Sequence, residues 1–508
     1  MEKAESPEPV RELVLAGAFF GSGNAGGASA LAAFLASRPE DALLAWFGKG
    51  RLAQPGTDAD KLRLAIDRDI ACIDAMISEQ LDAVLHHPRL RRLEGSWRGL
   101  AWLTAGVEHG ARVKIKVLDV RWAEICRDFE RAIEFDQSNL FHKIYEEEFG
   151  TPGGEPYGLL VVDHEVRHRP GPGAPTDDVG VITSLSSVAA AAFAPTILAA
   201  SPALLQADSF ADLATAADLS DPFRGPDYDR WRGLGSREDM RFIGVTLPRL
   251  LTRTPWQDDP ARIDGFRYAE HAPDAESRVW MVAGYAFASV VVRAFANYSW
   301  PADVRGSEVD RVGGGLVTNL PVESFRTDPE HVWVRPPLDL LLTDQQEKSL
   351  ADAGLIPLSM LPYGEQPVFG AIQSLHTPPS YHGPTADAAR ANARISAQIN
   401  AMLCASRFAH YIKIKGREAT GSFQTAEEIE NDLQRWLTAY VNATVDGGSD
   451  TNARYPLADA HVSIQEQAGR PGVFLATIHL QPHFQLDYLS AAFRLVTEIA
   501  APGARLAA

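Results

Sequence analysis

Three short, almost uninterrupted apolar runs constrain this chain more than any other feature. Gly158 to Asp163, Ala194 to Ala200 and Phe242 to Leu247 lack the polar alternation of a half-wetted strand. Runs of that length and bounding read as buried strands. Val179 to Phe193, lying between the first two, reads as a helix. Strands alternating with helices along the middle of the chain predict an α/β layered core.

The flanks add detail. Leu62, Ile66, Ile70, Ile73, Ile77, Leu81 and Leu85 recur every three or four residues with Asp67, Asp74 and Asp82 between them. That spacing predicts an amphipathic helix stopped by Pro88. Ser96 to Leu103 continues as a second helix with Trp97 and Trp102 as core anchors. Val113, Ile115 and Val117 alternate with Lys114 and Lys116, which predicts a half-buried strand over Val113 to Val120. Trp122 to Glu148 reads as helical, as do Ala386 to Ile414 and Ala426 to Val441. Two strands, Ala460 to Gln465 and Val473 to Leu480, flank a turn at Gly469 to Gly472.

The chain is long enough, at 508 residues, for several domains. Residues 1–60 read as an arm containing a flexible Gly21 to Gly27, short helices in Ala28 to Trp46 broken at Pro39, and a linker at Gln54 to Asp58. Residues 61–384 form an α/β region, and a Pro- and Gly-rich stretch at 361–384 separates it from a C-terminal domain, 385–508. The formal charge of −18 would repel a polyanion, so nucleic acid is not an expected partner. Cys72, Cys126 and Cys404 are too dispersed for a metal knuckle or a disulfide framework, which fits a reducing cytoplasm. No apolar run is long enough to insert in a membrane.

Two motifs invite a chemical reading. Gly21, Gly23 and Gly26 form G-x-G-x-x-G, but no second strand follows with an acid at its end, so a hinge in the arm competes with a dinucleotide site. His164, Glu165 and His168 form H-E-x-x-H, the spacing by which a helix presents two imidazoles to zinc. Here the motif continues an apolar strand, Pro170 and Pro172 follow at once, and Ala174 stands where a third ligand belongs. A zinc-dependent hydrolase is therefore the alternative, with a polar strand end as the structural reading. There is no phosphate-binding G-x-x-x-x-G-K-[ST] loop and no G-x-S-x-G elbow. No catalytic, cofactor-binding or metal-binding residue is assigned, and no cofactor is expected.

Several segments together resemble one family: the large contractile-sheath subunit of bacterial type VI secretion systems. They are Ile73 to Leu103, Phe135 to Gly158, Arg241 to Leu251, Ser406 to Lys413, Arg454 to Leu457 and Gln481 to Leu486, in family order. The resemblance implies a phage-tail-sheath-like fold, with layered domains completed together with a small sheath subunit, plus a flexible N-terminal arm. It also implies a cytoplasmic structural protein that polymerises with other copies around an inner tube protein on a baseplate, contracts, and is dismantled by an AAA+ recycling ATPase.

Site expectations follow from that resemblance. The nearest candidate for the helix gripped by the ATPase is Ala28 to Phe47, with Leu31, Phe34, Leu35, Leu43, Leu44, Trp46 and Phe47 as its apolar contacts. The helix Ala386 to Lys413 is the tube-facing candidate, with Arg390, Arg394 and Arg407 as polar contacts and Ile395, Ile399 and Leu403 packing inward; an ordinary packing helix is the other reading. The strand carrying Val473, Leu475 and Ile478 is the candidate for edge-to-edge interlocking with neighbouring subunits.

Overall fold

The computed structural model describes residues 25–52, 59–108, 110–263, 265–308, 311–361, 364, 366–379, 393, 396–420, 425–442, 449–466, 474–483 and 493–499. The expected linker at 54–58 and the expected boundary at 384 lie outside them. The chain divides into two compact units, residues 1–91 with 255–278, and residues 92–254 with 279–508.

In the first unit, α1 (Ala25–Ala36) and α2 (Pro39–Leu52) precede the long amphipathic α3 (Ala59–Leu85). Pro39 opens α2, where its missing N–H leaves no helical hydrogen bond unmade. Phe34 packs on Trp46 at 5.4 Å between ring centres, and the Trp46 indole donates to the buried Asp69 of α3 at 2.8 Å. The segment 255–278 braces the far end of α3: Tyr268 donates to Asp82 at 2.7 Å, and His86 meets the buried Glu270 at 3.1 Å. Gly26 and Gly27 lie inside α1, so these glycines form neither the expected hinge nor the turn of a dinucleotide site; Gly21 and Gly23 lie outside the described residues.

The second unit is built on a four-stranded parallel sheet, order β1-β2-β3-β4: β1 (Leu160–Val166), β2 (Thr196–Ala200), β3 (Ile243–Leu247) and β4 (Ile356–Pro357). The apolar runs are explained by burial on both faces. Leu198 and Ala200 join the core that contains α6 (Asp178–Ala192). Ile197 and Ala199 join the opposite core, containing α7 (Ala283–Tyr298) and Leu103 of α4 (Pro88–Ala105). Gly95 and Gly99 let α4 approach closely: a Cβ on Gly95 would stand 2.1 Å from the Trp280 carbonyl oxygen, and one on Gly99 would stand 2.7 Å from the Tyr285 ring.

Three local expectations fail here. Trp97 is no core anchor but is 62% exposed, because the small residues of α4 face inward instead; Trp102 is half-buried and donates to the Asn319 carbonyl at 2.8 Å. The helix expected over 122–148 is interrupted. α5 spans Trp122–Arg131 and ends where Ala132 turns extended, while Asp128 accepts the N–H groups of Asn139 (3.2 Å) and Leu140 (3.0 Å) and so caps a new helical start. That start runs into a π-helix, His142–Gly150. Residues 111–120, finally, are extended but pair with no strand among the described residues.

In the C-terminal region, after the short α8 (Asp344–Asp352), helix α9 (Ile399–Thr420) starts later than expected. Gln398 forms a bridge with Gln373 and the Ile399 N–H donates to Ile372, which excludes a helix running through Ala397 and Gln398. Ile399, Met402, Leu403, Cys404, Phe408, Ala409 and Ile412 are all buried, so α9 is enclosed on every side over this stretch. Beyond it, α10 (Ala426–Thr438) covers an antiparallel sheet ordered β5 (Leu457–Glu466), β6 (Phe474–Pro482), β7 (Phe493–Ile499). Ile429, Leu433, Leu437, Val462, Ile464, Ile478 and Leu480 form its core, with Trp300 stacked on Phe408 at 4.2 Å.

Candidate functional site

The unpaired segment 111–120 is the most unusual feature of the second unit. Its residues alternate as a strand should, yet among the described residues nothing pairs with its backbone between 112 and 120. Ile115, Leu118 and Val120 are exposed, and Val117 is 62% exposed. Side chains hold the segment in place: Lys114 pairs with Glu155, Lys116 pairs with Glu148, and the Glu155 N–H donates to Glu148 at 3.0 Å.

Beside it lies an open groove of about 1140 Å³. One wall is residues 111–118; the other includes Leu159 to His164, which contains most of β1. Among the described residues β1 is an end strand of the sheet, paired only with β2. The floor comes from α7 (Tyr285, Val291, Phe295) and α9 (Leu403, Arg407, His410). An open sheet edge, an unpaired extended segment and an apolar floor between them make a slot shaped for an added strand.

The groove absorbs one tube-facing candidate. Arg407 lies over the rings of Tyr411 (4.5 Å) and Phe295 (5.5 Å), in the floor of the groove and not on a free polar face. Ile399 and Leu403 do pack inward, while Arg390, Arg394 and Ile395 lie outside the described residues. Nearby, His410 donates from Nε2 to the Ala192 carbonyl at 3.0 Å, and burial pushes its pKa down to about 4.

The H-E-x-x-H residues serve packing. β1 carries His164 and Glu165, so the motif lacks the helix that zinc chelation needs. His164 stacks on Trp122 at 4.4 Å and sits 3.5 Å from the buried Asp178. His168 turns elsewhere, stacks on Tyr228 at 4.0 Å, and burial lowers its pKa. Asp178 is the hub: it accepts from Trp122 Nε1 (2.8 Å), Thr176 Oγ1 (2.8 Å) and the Arg167 N–H (2.9 Å). Burial would raise its pKa, but His164, Trp122 and Thr176 outweigh that and hold the carboxyl below its ordinary value. Among the described residues no cluster of His, Cys, Asp and Glu could hold a metal ion.

The interlocking candidates sit on the wrong strand for their expected role. Leu475 and Ile478 belong to β6, the central strand, which is paired with β5 on one side and β7 on the other; Val473 lies outside the described residues. Nor is β5 a bare edge. Gln434 of α10 donates to the Ala460 carbonyl and accepts from the Val462 N–H, both at 2.9 Å, and Glu430 accepts from Ile464 at 2.7 Å. The candidate ATPase-recognition residues divide between two helices. Leu35 and Leu44 are exposed, Leu31, Phe34, Leu43 and Trp46 are half-buried, and Phe47 is buried. Neither the alternation at 111–120 nor the end position of β1 announced the groove in the sequence.

Residues 67–376 match the family described as EvpB/VC_A0108, tail sheath N-terminal domain, and residues 388–499 match EvpB/VC_A0108, tail sheath gpW/gp25-like domain. The chain is 35% identical over 440 residues to the type VI secretion system sheath protein TssC1 of Pseudomonas aeruginosa, covering 86% of each. Among solved structures it is similar to a chain of the anti-feeding prophage baseplate (TM-score 0.35, 9% identity, 75% of this chain and 82% of that one). A sheath tail protein from Desulfitobacterium hafniense gives TM-score 0.29 at 10% identity, over 63% of this chain and 53% of that one. Those two likenesses carry no weight beside the sequence matches. The family and the relative are structural, which removes the zinc-hydrolase alternative: the chain belongs to the EvpB/VC_A0108 tail-sheath family of type VI secretion.

Proposed function

We propose that this sheath subunit is folded to completion only with a second chain, the small sheath subunit, which supplies a strand to the groove between β1 and residues 111–120. The observation that carries this reading is the combination of an open sheet edge and an unpaired alternating segment around one apolar slot. A strand inserted there gains main-chain hydrogen bonds on both sides and covers Ile115, Val117 and the groove floor. The heterodimer then polymerises around the inner tube on its baseplate and shortens, exchanging one inter-subunit packing for another of lower free energy. No covalent chemistry is required.

Recycling by an AAA+ ATPase belongs to the same proposal, with Leu35 and Leu44 as the contacts already exposed on α1 and α2. Tube contact by Arg390 and Arg394 remains part of it. The test is co-expression with a small sheath subunit of the same family of systems, followed by negative-stain electron microscopy. Striated hollow tubules requiring both proteins support the reading. A soluble pair without tubules removes polymerisation, and no complex at all removes the shared fold.

A further inference from the structure

The long helix of the first unit carries more apolar surface than its own unit covers. On its inner side, α3 is held to α2 through Asp69 and Trp46. Beside that seam, Ile70, Ile77 and Val84 recur every seventh residue and are all exposed. With the half-buried Ile66 and Ile73 they fall at alternating spacings of four and three, the a/d pattern of a coiled-coil seam, and Gln80 occupies one such position. A heptad seam left open on a helix whose other side is already packed is a surface for one more helix.

Charge selects the occupant. From Asp69 to Leu85 the helix carries Asp69, Asp74, Glu79 and Asp82 and no Lys or Arg. Asp67 and Asp74 flank the seam at the positions that pair across a coiled coil. A second copy of α3 would oppose acid to acid. The chain's own residues 1–12, with Glu2, Glu5, Glu8 and Glu12 against Lys3 and Arg11, are net acidic and so share the sign of the seam. We infer that the Ile70–Ile77–Val84 face of α3 docks an amphipathic helix of another protein that is apolar at heptad spacing and basic along its flanks. This surface stands on the first unit alone and does not depend on the strand-addition reading of the second.

The test uses the full chain and a labelled three-heptad peptide with Leu at a and d and Lys at e and g. Its controls are a composition-matched scramble and a version with Glu replacing Lys. The expected result is binding of the Lys heptad peptide alone in fluorescence anisotropy. Affinity should fall at least about tenfold in Ile70→Ser/Ile77→Ser and stay unchanged in Leu64→Ser, an exposed position off the seam. Circular dichroism confirms that each variant is folded. Equal binding of the scramble, or full affinity in the double variant, overturns the proposal. So does a wild-type dimer that excludes the peptide and becomes monomeric in the double variant, since the occupant is then a second copy.

Discussion

Replacing Asp178 by Ala removes the acceptor for three donors at once: Trp122 Nε1, Thr176 Oγ1 and the Arg167 N–H. The carboxylate is 2% exposed, so its loss opens no direct route for water. An orphaned buried donor costs about 1–3 kcal/mol. Trp122, Thr176 and Arg167 are only half-buried and the Thr hydroxyl can turn, so the low end applies to each. The sum is about 3 kcal/mol of unfolding free energy. Asp178→Asn keeps one carbonyl acceptor and should lose about half of that. The assay is chemical denaturation followed by circular dichroism, with the denaturant slope unchanged. The pH dependence gives an independent check. The folded carboxyl titrates below its unfolded value, so its contribution is present above about pH 4 and fades as pH falls through the folded value. The gap between wild type and Asp178→Asn should therefore narrow only in acid. A loss under about 0.5 kcal/mol for Asp178→Ala, or a gap that widens in acid, refutes the hub.

Gly95→Ala should destabilise by at least about 2 kcal/mol in the same assay, because its Cβ would meet main-chain oxygen of Trp280, which cannot rotate away. His410 stays neutral in the folded state down to about pH 4, whereas an unfolded histidine takes up its proton near pH 6.5. Folding stability should therefore fall by about 3 kcal/mol between pH 6.5 and 4 on account of this residue, and His410→Gln should remove that part of the slope. Gln434→Ala frees the Ala460 carbonyl and the Val462 N–H on the edge of β5; light scattering should then show faster self-association than wild type, at a stability cost of about 1–2 kcal/mol.

What the sequence disclosed was whatever depended on local pattern. The apolar runs at 158–163, 194–200 and 242–247 read as buried strands because helices cover both faces of the sheet. α3 was legible because its seven-turn pattern repeats without a breaker. Periodicity misled where the partner is decided by tertiary or quaternary structure. At 113–117 it correctly reported a strand-like backbone but could not report that no strand lies beside it among the described residues. Trp97 looked like core because large aromatics usually are, yet Gly95 and Gly99 claim the inner face. β6 looked like an edge because no strand was expected beyond residue 480, yet β7 pairs along its other side. The buried stretch of α9 looked amphipathic, although the cores on either side of it enclose both faces.

On the strand-addition proposal, residues 112–120, unpaired among the described residues, find their strand partner in a second chain. Hydrogen–deuterium exchange of the chain alone and co-assembled with the small sheath subunit tests it most directly. Amides at 112–120 should be near-unprotected in the isolated chain and slow by about a hundredfold or more in the assembly, together with protection along β1. Amides at 112–120 that exchange equally fast in both states would contradict it.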